Sequence, residues 1–314
     1  MLSYIIRRLL GVIPVMLVVG IFVFSLLHMA PGDPAAIIAG DNASEANIAQ
    51  IRTSLGLDRP LLEQFTSWGW ATLRGDLGVS MFSQIAVTTL IGQRVGPTFS
   101  LACTTMLVAV TLAVAFGVLA AWKAGSWLDR AVMGAAVMGF SVPVFVVGYI
   151  LVYFVALKWR WLPVQGYTLL SDGLWPWLQH LILPSIALGL AYVALIARIT
   201  RASMLDVLAE DYIRTASAKG VATLPMLLGH ALKNAAVPIV TVIGIGVALL
   251  ISGVVITESV FNIPGIGRLV VDAIARRDYP IIQGVMVVFA AVYVLINLAI
   301  DISYSFLDPR IRYS

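Results

Sequence analysis

Six long stretches of this 314-residue chain contain no aspartate, glutamate, lysine or arginine. They cover residues 9–32, 95–122, 131–157, 173–197, 234–257 and 279–300. Each stretch is 22 to 28 residues long, which exceeds the roughly 20 apolar residues that an α-helix needs to cross a bilayer. The pattern therefore predicts an all-α integral membrane protein with six transmembrane helices. Prolines at 143, 176 and 184 are expected to kink or interrupt their helices.

The polar segments between these stretches divide the chain into four predicted parts. Residues 1–32 form an N-terminal cytoplasmic stub and the first transmembrane helix, and 33–94 form an extracytoplasmic helical insert. Residues 95–307 form a core with five transmembrane helices and a polar loop at 203–237, and 308–314 form a cytoplasmic tail.

The insert has the sequence pattern of two short helices. Asn42 and Glu45 have the spacing of a capping box, and Gly56 can end the helix that follows. A second helix is predicted to begin near Pro60. Two tryptophans follow in it, Trp68 and Trp70. Indole rings are enriched at the headgroups, so we expect the insert to lie against the membrane surface or a partner, with a tethered loop that binds no partner as the alternative.

The distribution of basic residues predicts the orientation of the chain. An even number of helices places both termini on the same side. With the termini inside, eleven lysines and arginines of the short loops and tails face the cytoplasm and five face outward, as the positive-inside rule favours. The net charge of +4 comes from basic residues dispersed between apolar stretches, a pattern that does not indicate nucleic-acid binding.

The composition and the motifs that are absent from the sequence exclude several classes of protein and site. Only 11% of the residues are charged, against about 25% in soluble domains. The chain lacks the G-x-x-x-x-G-K-[ST] phosphate loop, and its three histidines and single Cys103 are too far apart for a metal site. Ion-coupled carriers generally have a charged residue near the middle of a membrane helix, and none of these stretches contains one. We therefore expect no catalytic residue, cofactor or metal on this chain.

The polar loop between the fourth and fifth stretches is the best candidate for a functional site. Apolar or small residues recur at helical spacing over 203–219, at Leu205, Leu208, Tyr212 and Ala216. Gly220 is placed to end this helix, and Thr223 to cap a second one with Pro225 in its first turn. Two short amphipathic helices joined by a glycine turn suit docking into a groove on another protein. An amphipathic loop lying on anionic lipid is the alternative.

The sequence of this loop resembles the cytoplasmic EAA loop of ABC importer permeases. The string DYIRTA-x-AKG at 211–220 is similar to the version found in the dipeptide/oligopeptide/nickel branch. Arg214 and Thr215 occupy the places of the Glu and first Ala of the general pattern, and Lys233 that of its Pro. Seven further strings follow the order of that branch: YIIRRLL at 4–10, APGDP at 30–34, LGLDRP at 55–60, GDLGVS at 75–80, LPVQGY at 162–167, ESVFNIPGIGRL at 258–269 and LDPRIRY at 307–313.

The resemblance implies a type I ABC importer permease of the inner membrane. Its expected partners are a second homologous permease, two ATPase subunits that hold ATP and magnesium, and an extracytoplasmic solute-binding protein. Peptides are the expected substrates, with nickel chelates, glutathione, opines and oligosaccharides left open. A stand-alone secondary carrier or channel is the alternative from another class of protein.

Two groups of residues are the expected sites. The residues expected to couple to the ATPases are Glu210, Asp211, Tyr212, Arg214, Thr215, Ala216, Ala218, Lys219 and Gly220. Those expected at the outer gate or the binding-protein contact are Trp68, Trp70, Glu258, Asn262, Pro264, Gly265 and Gly267, because proline and glycine interrupt the helix at the outer mouth.

Overall fold

A computed structural model of the chain describes residues 2–29, 33, 35–36, 44–54 and 56–307. Among these residues the β pairing is limited to an isolated bridge between Val79 and Ala86, and nearly all the rest is helical. The predicted all-α fold is confirmed. In chain order the helices are α1 (Leu2–Met29), α2 (Glu45–Ser54), α3 (Leu61–Leu73), α4 (Val87–Trp122), α5 (Trp127–Ser141), α6 (Val144–Leu151), α7 (Leu174–Leu208), α8 (Asp211–Ala218), α9 (Ala236–Val260), α10 (Ile266–Arg276) and α11 (Tyr279–Leu307), with shorter helical segments at 152–158, 170–172 and 223–234.

Five helices in the described ranges are long and apolar enough to cross a membrane. They are α1, α4, α7, α9 and α11, and each contains most of one predicted stretch. The count becomes six if the pair α5 and α6, with the π-helical continuation of α6, is one broken span.

The third predicted stretch is a bent pair of helices and not one straight helix. The two halves, Trp127–Ser141 and Val144–Lys158, meet at an angle of 103°. Val142 between them is extended, and Pro143 is the residue directly before the second half. Proline disfavours helical backbone in the residue before it and has no N–H for the helical ladder, so the break falls where the sequence predicted an interruption. Pro176 and Pro184, in contrast, lie within the continuous helix α7.

The two predicted helices of the insert are present, with a different cap on the first. Asn42 lies outside the described residues, and α2 begins at Glu45. The side chain of Ser44 accepts a hydrogen bond from the amide three residues on, at 3.3 Å, which is the bond that an N-cap residue makes. Gly56 follows α2 with a φ of +66°, and α3 begins directly after Pro60, as predicted.

Tertiary contacts divide the chain into two compact units. Of the described residues, the larger unit contains 96–268 and 296–307, and the smaller contains those within 2–95 and 269–295. These units do not test the four-part division of the sequence, which stays a prediction.

Helix α7 is the centre of the larger unit. It contacts α5, α6 and α9, and its side chains Leu181, Leu188 and Ile196 are almost completely buried. A Cβ atom on Gly117 of α4 would lie 2.5 Å from the Thr200 side chain of α7. Only glycine therefore allows the two helices to approach this closely, as small residues do in membrane interfaces.

In the smaller unit α1 packs on α3 through aromatic rings. The ring of Phe24 lies 5.4 Å from that of Phe65 and 5.8 Å from that of Trp68. The loop before α4 is fixed to the start of α11, because the buried carboxylate of Asp278 accepts hydrogen bonds from the Ser80 hydroxyl at 2.5 Å and the Met81 amide at 3.2 Å.

Candidate coupling helix and the turn after α9

The predicted helix over 203–219 is divided into two by a break. Helix α7 continues to Leu208, and α8 begins at Asp211. Glu210 between them is extended, and its carbonyl accepts the amides of Ile213 and Arg214 at 3.1 and 3.4 Å. The expectation of one continuous helix is therefore wrong, because the periodicity of the apolar residues continues across a residue whose backbone is not helical.

Because of the break, Ile213 and not Tyr212 is the buried side chain of α8. Ile213 is 4% exposed, whereas Tyr212 is 43% exposed. Ile213 belongs to an apolar cluster with residues of three membrane helices, among them Val118 of α4, Met204 of α7 and Ile239 of α9. Ile213 is not among the residues predicted from the sequence for this site, although it is the only large aliphatic side chain between 209 and 220.

The opposite face of α8 is exposed. Eight of the nine predicted coupling residues are exposed, and only Ala216 is half-buried. Arg214 and Asp211 form an ion pair at 3.3 Å, with both side chains mostly in solvent, so the pair adds little stability. Partial burial and the charge of Glu210 raise the pKa of Tyr212.

Gly220 ends α8 as the sequence predicts. Its φ is +83°, its amide donates to the carbonyl of Ser217 at 3.0 Å, and the Val221 amide donates to the carbonyl of Ala216 at 3.2 Å. This pair of bonds is the Schellman motif, which satisfies the last carbonyls of a helix.

The second predicted helix is present, but its start and its geometry differ from the prediction. Ala222 is the residue before the helix and Thr223 is its first residue, so the expected capping role of Thr223 is wrong. Pro225 lies in the first turn, as predicted, and the helix then widens into a π-helical turn over Met226–Ala231. Leu227 within this turn is buried in the same apolar cluster as Ile213.

A salt bridge joins the first turn of α5 to the last part of α7. Both side-chain oxygens of Asp129 accept hydrogen bonds from Arg201, at 2.6 and 2.7 Å, and one also accepts the amide of Gly125 at 2.9 Å. Asp129 is 4% exposed. Arg201 lies two helical turns before the end of α7, so this contact stabilises the part of α7 that precedes α8. Sequence reasoning missed the pair because its residues are 72 positions apart.

The second candidate site is the segment 261–268, which consists of the turn after α9 and the first three residues of α10 and is called the 261–268 turn below. Four of the predicted gate residues lie in it, Asn262, Pro264, Gly265 and Gly267, and the two glycines lie against the side chain of a fifth, Glu258 of α9. Asn262 has a φ of +53°, which asparagine tolerates better than most residues. The Glu258 carboxylate is fully buried beneath the turn.

Trp68 and Trp70 belong to the smaller unit. Trp68 is half-buried in the aromatic contacts between α3 and α1. Trp70 is 59% exposed, with the guanidinium of Arg74 4.7 Å from the centre of its ring.

Comparison with known proteins identifies the class to which this fold belongs. A family model described as the binding-protein-dependent transport system inner membrane component matches residues 113–313, and the model of its N-terminal part matches 1–102. The chain belongs to this family of ABC importer permeases. Such permeases are not enzymes, and their ATPase and substrate-binding functions lie on partner subunits. Multi-pass insertion in a membrane follows from the family and the apolar helices.

Two curated relatives match over essentially the whole chain. The "Probable peptide ABC transporter permease protein y4tP" of Sinorhizobium fredii is 59% identical over 310 residues, which are 99% of each chain. The "Glutathione transport system permease protein GsiC" of Escherichia coli (strain K12) is 45% identical over 313 residues, which are 100% of each chain.

A solved structure shows the same fold at low sequence identity. It is described as "Inward facing conformations of the MetNI methionine ABC transporter: CY5 native crystal form". The match has a TM-score of 0.58 and 17% identity, and it covers 70% of this chain and 96% of the other. The predicted type I importer fold is confirmed.

Proposed function

We propose that this chain is one of two homologous permease subunits of an inner-membrane importer for di- and oligopeptides. Two ATPase subunits hold ATP and magnesium, an extracytoplasmic solute-binding protein delivers the substrate, and the chain itself binds no cofactor or metal. The relative named as a peptide permease, at 59% identity, supports this substrate class. The glutathione permease at 45% identity supports glutathione as the second candidate, and glutathione is itself a tripeptide.

The observation that supports energy coupling best is the two-sided helix α8. Its exposed face offers small and charged side chains to a partner, while Ile213 on its buried face contacts the apolar cluster of α4, α7 and α9. Protein interiors are close-packed and transmit displacement. When the ATPase pair closes on ATP, a movement of α8 therefore moves the membrane helices, and the substrate path opens alternately to each side.

The orientation in the proposal places α8 in the cytoplasm with both chain termini. Eleven basic residues of short loops and tails then face inward and five face outward. The 261–268 turn and the insert at 33–94 lie outside in this arrangement. We assign to them the outer gate and the contact with the binding protein, including Trp68 and Trp70.

Reconstitution tests the function directly. The complete complex in proteoliposomes should take up labelled di- and oligopeptides when ATP is inside and the binding protein is outside. The permease pair without its ATPases should transport nothing. Uptake by the permease pair alone would contradict the importer mechanism, and saturable uptake of glutathione without competition from other peptides would replace the substrate assignment.

The binding-protein contact has its own test. A complex that lacks residues 42–72 but is folded and inserted should hydrolyse ATP without stimulation by the binding protein. Stimulation equal to that of the intact complex would exclude the insert from this contact.

A further inference from the structure

The buried carboxylate of Glu258 connects α9 with α4 and with the 261–268 turn. One of its oxygens accepts a hydrogen bond from the Thr98 hydroxyl of α4 at 2.6 Å, and the other accepts the Arg268 amide at 3.0 Å. The Thr98 hydroxyl also accepts the Ile266 amide at 2.8 Å. Thr98 therefore donates to the carboxylate and accepts from the turn, so the three elements share one small network.

The glycines of the turn are required by the position of this carboxylate. A Cβ atom on Gly265 would lie 2.0 Å from one Glu258 side-chain oxygen. A Cβ atom on Gly267 would lie 3.0 Å from the other oxygen and 2.6 Å from the Cα of Val255. The backbone of the turn thus folds directly onto the carboxylate, and the Ile263 amide closes the turn on the Glu258 carbonyl at 2.9 Å.

Such a network resists separation for an electrostatic reason. A carboxylate removed from water is costly unless hydrogen bonds stabilise it. Separating the turn and α9 from α4 would take from the buried Glu258 carboxylate the Thr98 hydroxyl, one of its donors. Hydrogen bonds to charged groups are also stronger than those between neutral groups, so the turn, the part of α4 around Thr98 and the end of α9 should stay together while other parts of the permease move.

We propose that Thr98 and Glu258 are positioning residues that fasten the 261–268 turn to α4, so that the turn, the part of α4 around Thr98 and the end of α9 move as one body during transport. The proposal rests on the proposed importer function and adds to it a statement of which parts of the permease stay together during transport. The sequence motif around Glu258 contains one of these two residues, and Thr98 lies 160 positions away from it.

Hydrogen exchange tests the network in the complete complex. Thr98→Val removes the hydroxyl at nearly constant shape, and the amides of Ile266 and Arg268 should then exchange about tenfold faster, the effect of losing one hydrogen bond to a charged group. Thr98→Ser restores the hydroxyl and should restore slow exchange. Equal exchange in both variants would overturn the network.

A disulfide tests whether the parts move together. Cys103 is replaced by alanine, and cysteines are introduced by Thr98→Cys and Ile266→Cys. The pair should oxidise in the assembled complex, and the oxidised complex should keep most of the uptake and ATPase stimulation of the same complex after reduction. Each single-cysteine complex, oxidised in the same way, is the control.

Two results would overturn the proposal: failure of the pair to oxidise, or loss of uptake on oxidation that reduction reverses. The comparison is between oxidised and reduced samples of one complex, and stimulated ATPase activity is measured with uptake. This comparison therefore distinguishes failure of this proposal from failure of the importer function on which it rests. Failure of the importer function would appear as absent uptake in the unmodified complex.

Discussion

Replacement of Gly220 by alanine should loosen the end of α8 and weaken coupling to the ATPases. Apart from its two chain neighbours, the described residues place no atom within 4 Å of a Cβ on Gly220, so the substitution meets no steric contact with them. Its φ of +83° is the reason for glycine, because left-handed backbone costs other residues about 1–2 kcal/mol. Alanine also lowers the conformational entropy of the unfolded segment, and this stabilising effect offsets about 0.4–1 kcal/mol of the backbone cost.

The net cost is about 1 kcal/mol, which corresponds to roughly a fivefold increase in local opening. Hydrogen exchange of the assembled complex should show this increase at the amides of Gly220 and Val221, which donate the two closing bonds. Transport and binding-protein-stimulated ATPase activity should fall in parallel, while expression and membrane insertion stay normal.

Two variants make the prediction specific to the left-handed backbone. Gly220→Asn should be close to wild type, because asparagine adopts this conformation at low cost. Gly229→Ala is the matched control, since Gly229 also has no atom near its Cβ position but lies in the helical turn Met226–Ala231. Alanine there should be neutral or stabilising. Equal impairment in all three variants, or no change in exchange for Gly220→Ala, would refute the reasoning.

Three further substitutions follow from the geometry. Asp129→Asn removes the carboxylate that pairs with a partly buried arginine, and it should lower the stability of the purified permease by about 1–3 kcal/mol. Asp211→Asn, in an exposed pair, is the control and should change the stability by less than about 0.5 kcal/mol. Similar thermal midpoints for the two variants would contradict this prediction. Ile213→Ala should cost about 2–5 kcal/mol of packing and uncouple ATP hydrolysis from uptake in paired assays, and normal coupling would exclude the anchor role. Gly117→Val should prevent close packing against Thr200, seen as loss of the folded monodisperse permease in gel filtration, and a folded variant would show that α4 can move away.

Local signals explain why much of the fold could be predicted from the sequence. Apolar length identifies membrane helices because a bilayer requires every backbone group to bond within the helix, and all but the first residue of the stretch at 173–197 accordingly lies within α7. Gly220 could be assigned to a helix end because only a few residues tolerate its backbone. Pro143 marked the point where the third stretch breaks.

The parts that could not be predicted depend on residues far apart in the chain. Asp129 and Arg201 are 72 positions apart, and Thr98 and Glu258 are 160 apart, so no local pattern pairs them. The break at Glu210 was missed because Leu208 and Tyr212 keep helical spacing across it. That break is set by tertiary packing, since it turns Ile213 into the apolar cluster.

Cross-linking from α8 to the ATPase tests the central claim most directly. In a complex with Cys103 replaced by alanine, Ala218→Cys is placed on the exposed face of α8 and treated with a short thiol-reactive photo-cross-linker. Leu73→Cys, on an exposed residue of the insert, is the control. The account predicts ATP-sensitive cross-links from position 218 to an ATPase subunit and none from position 73. Absence of any ATPase adduct at position 218 in a complex that transports would contradict it.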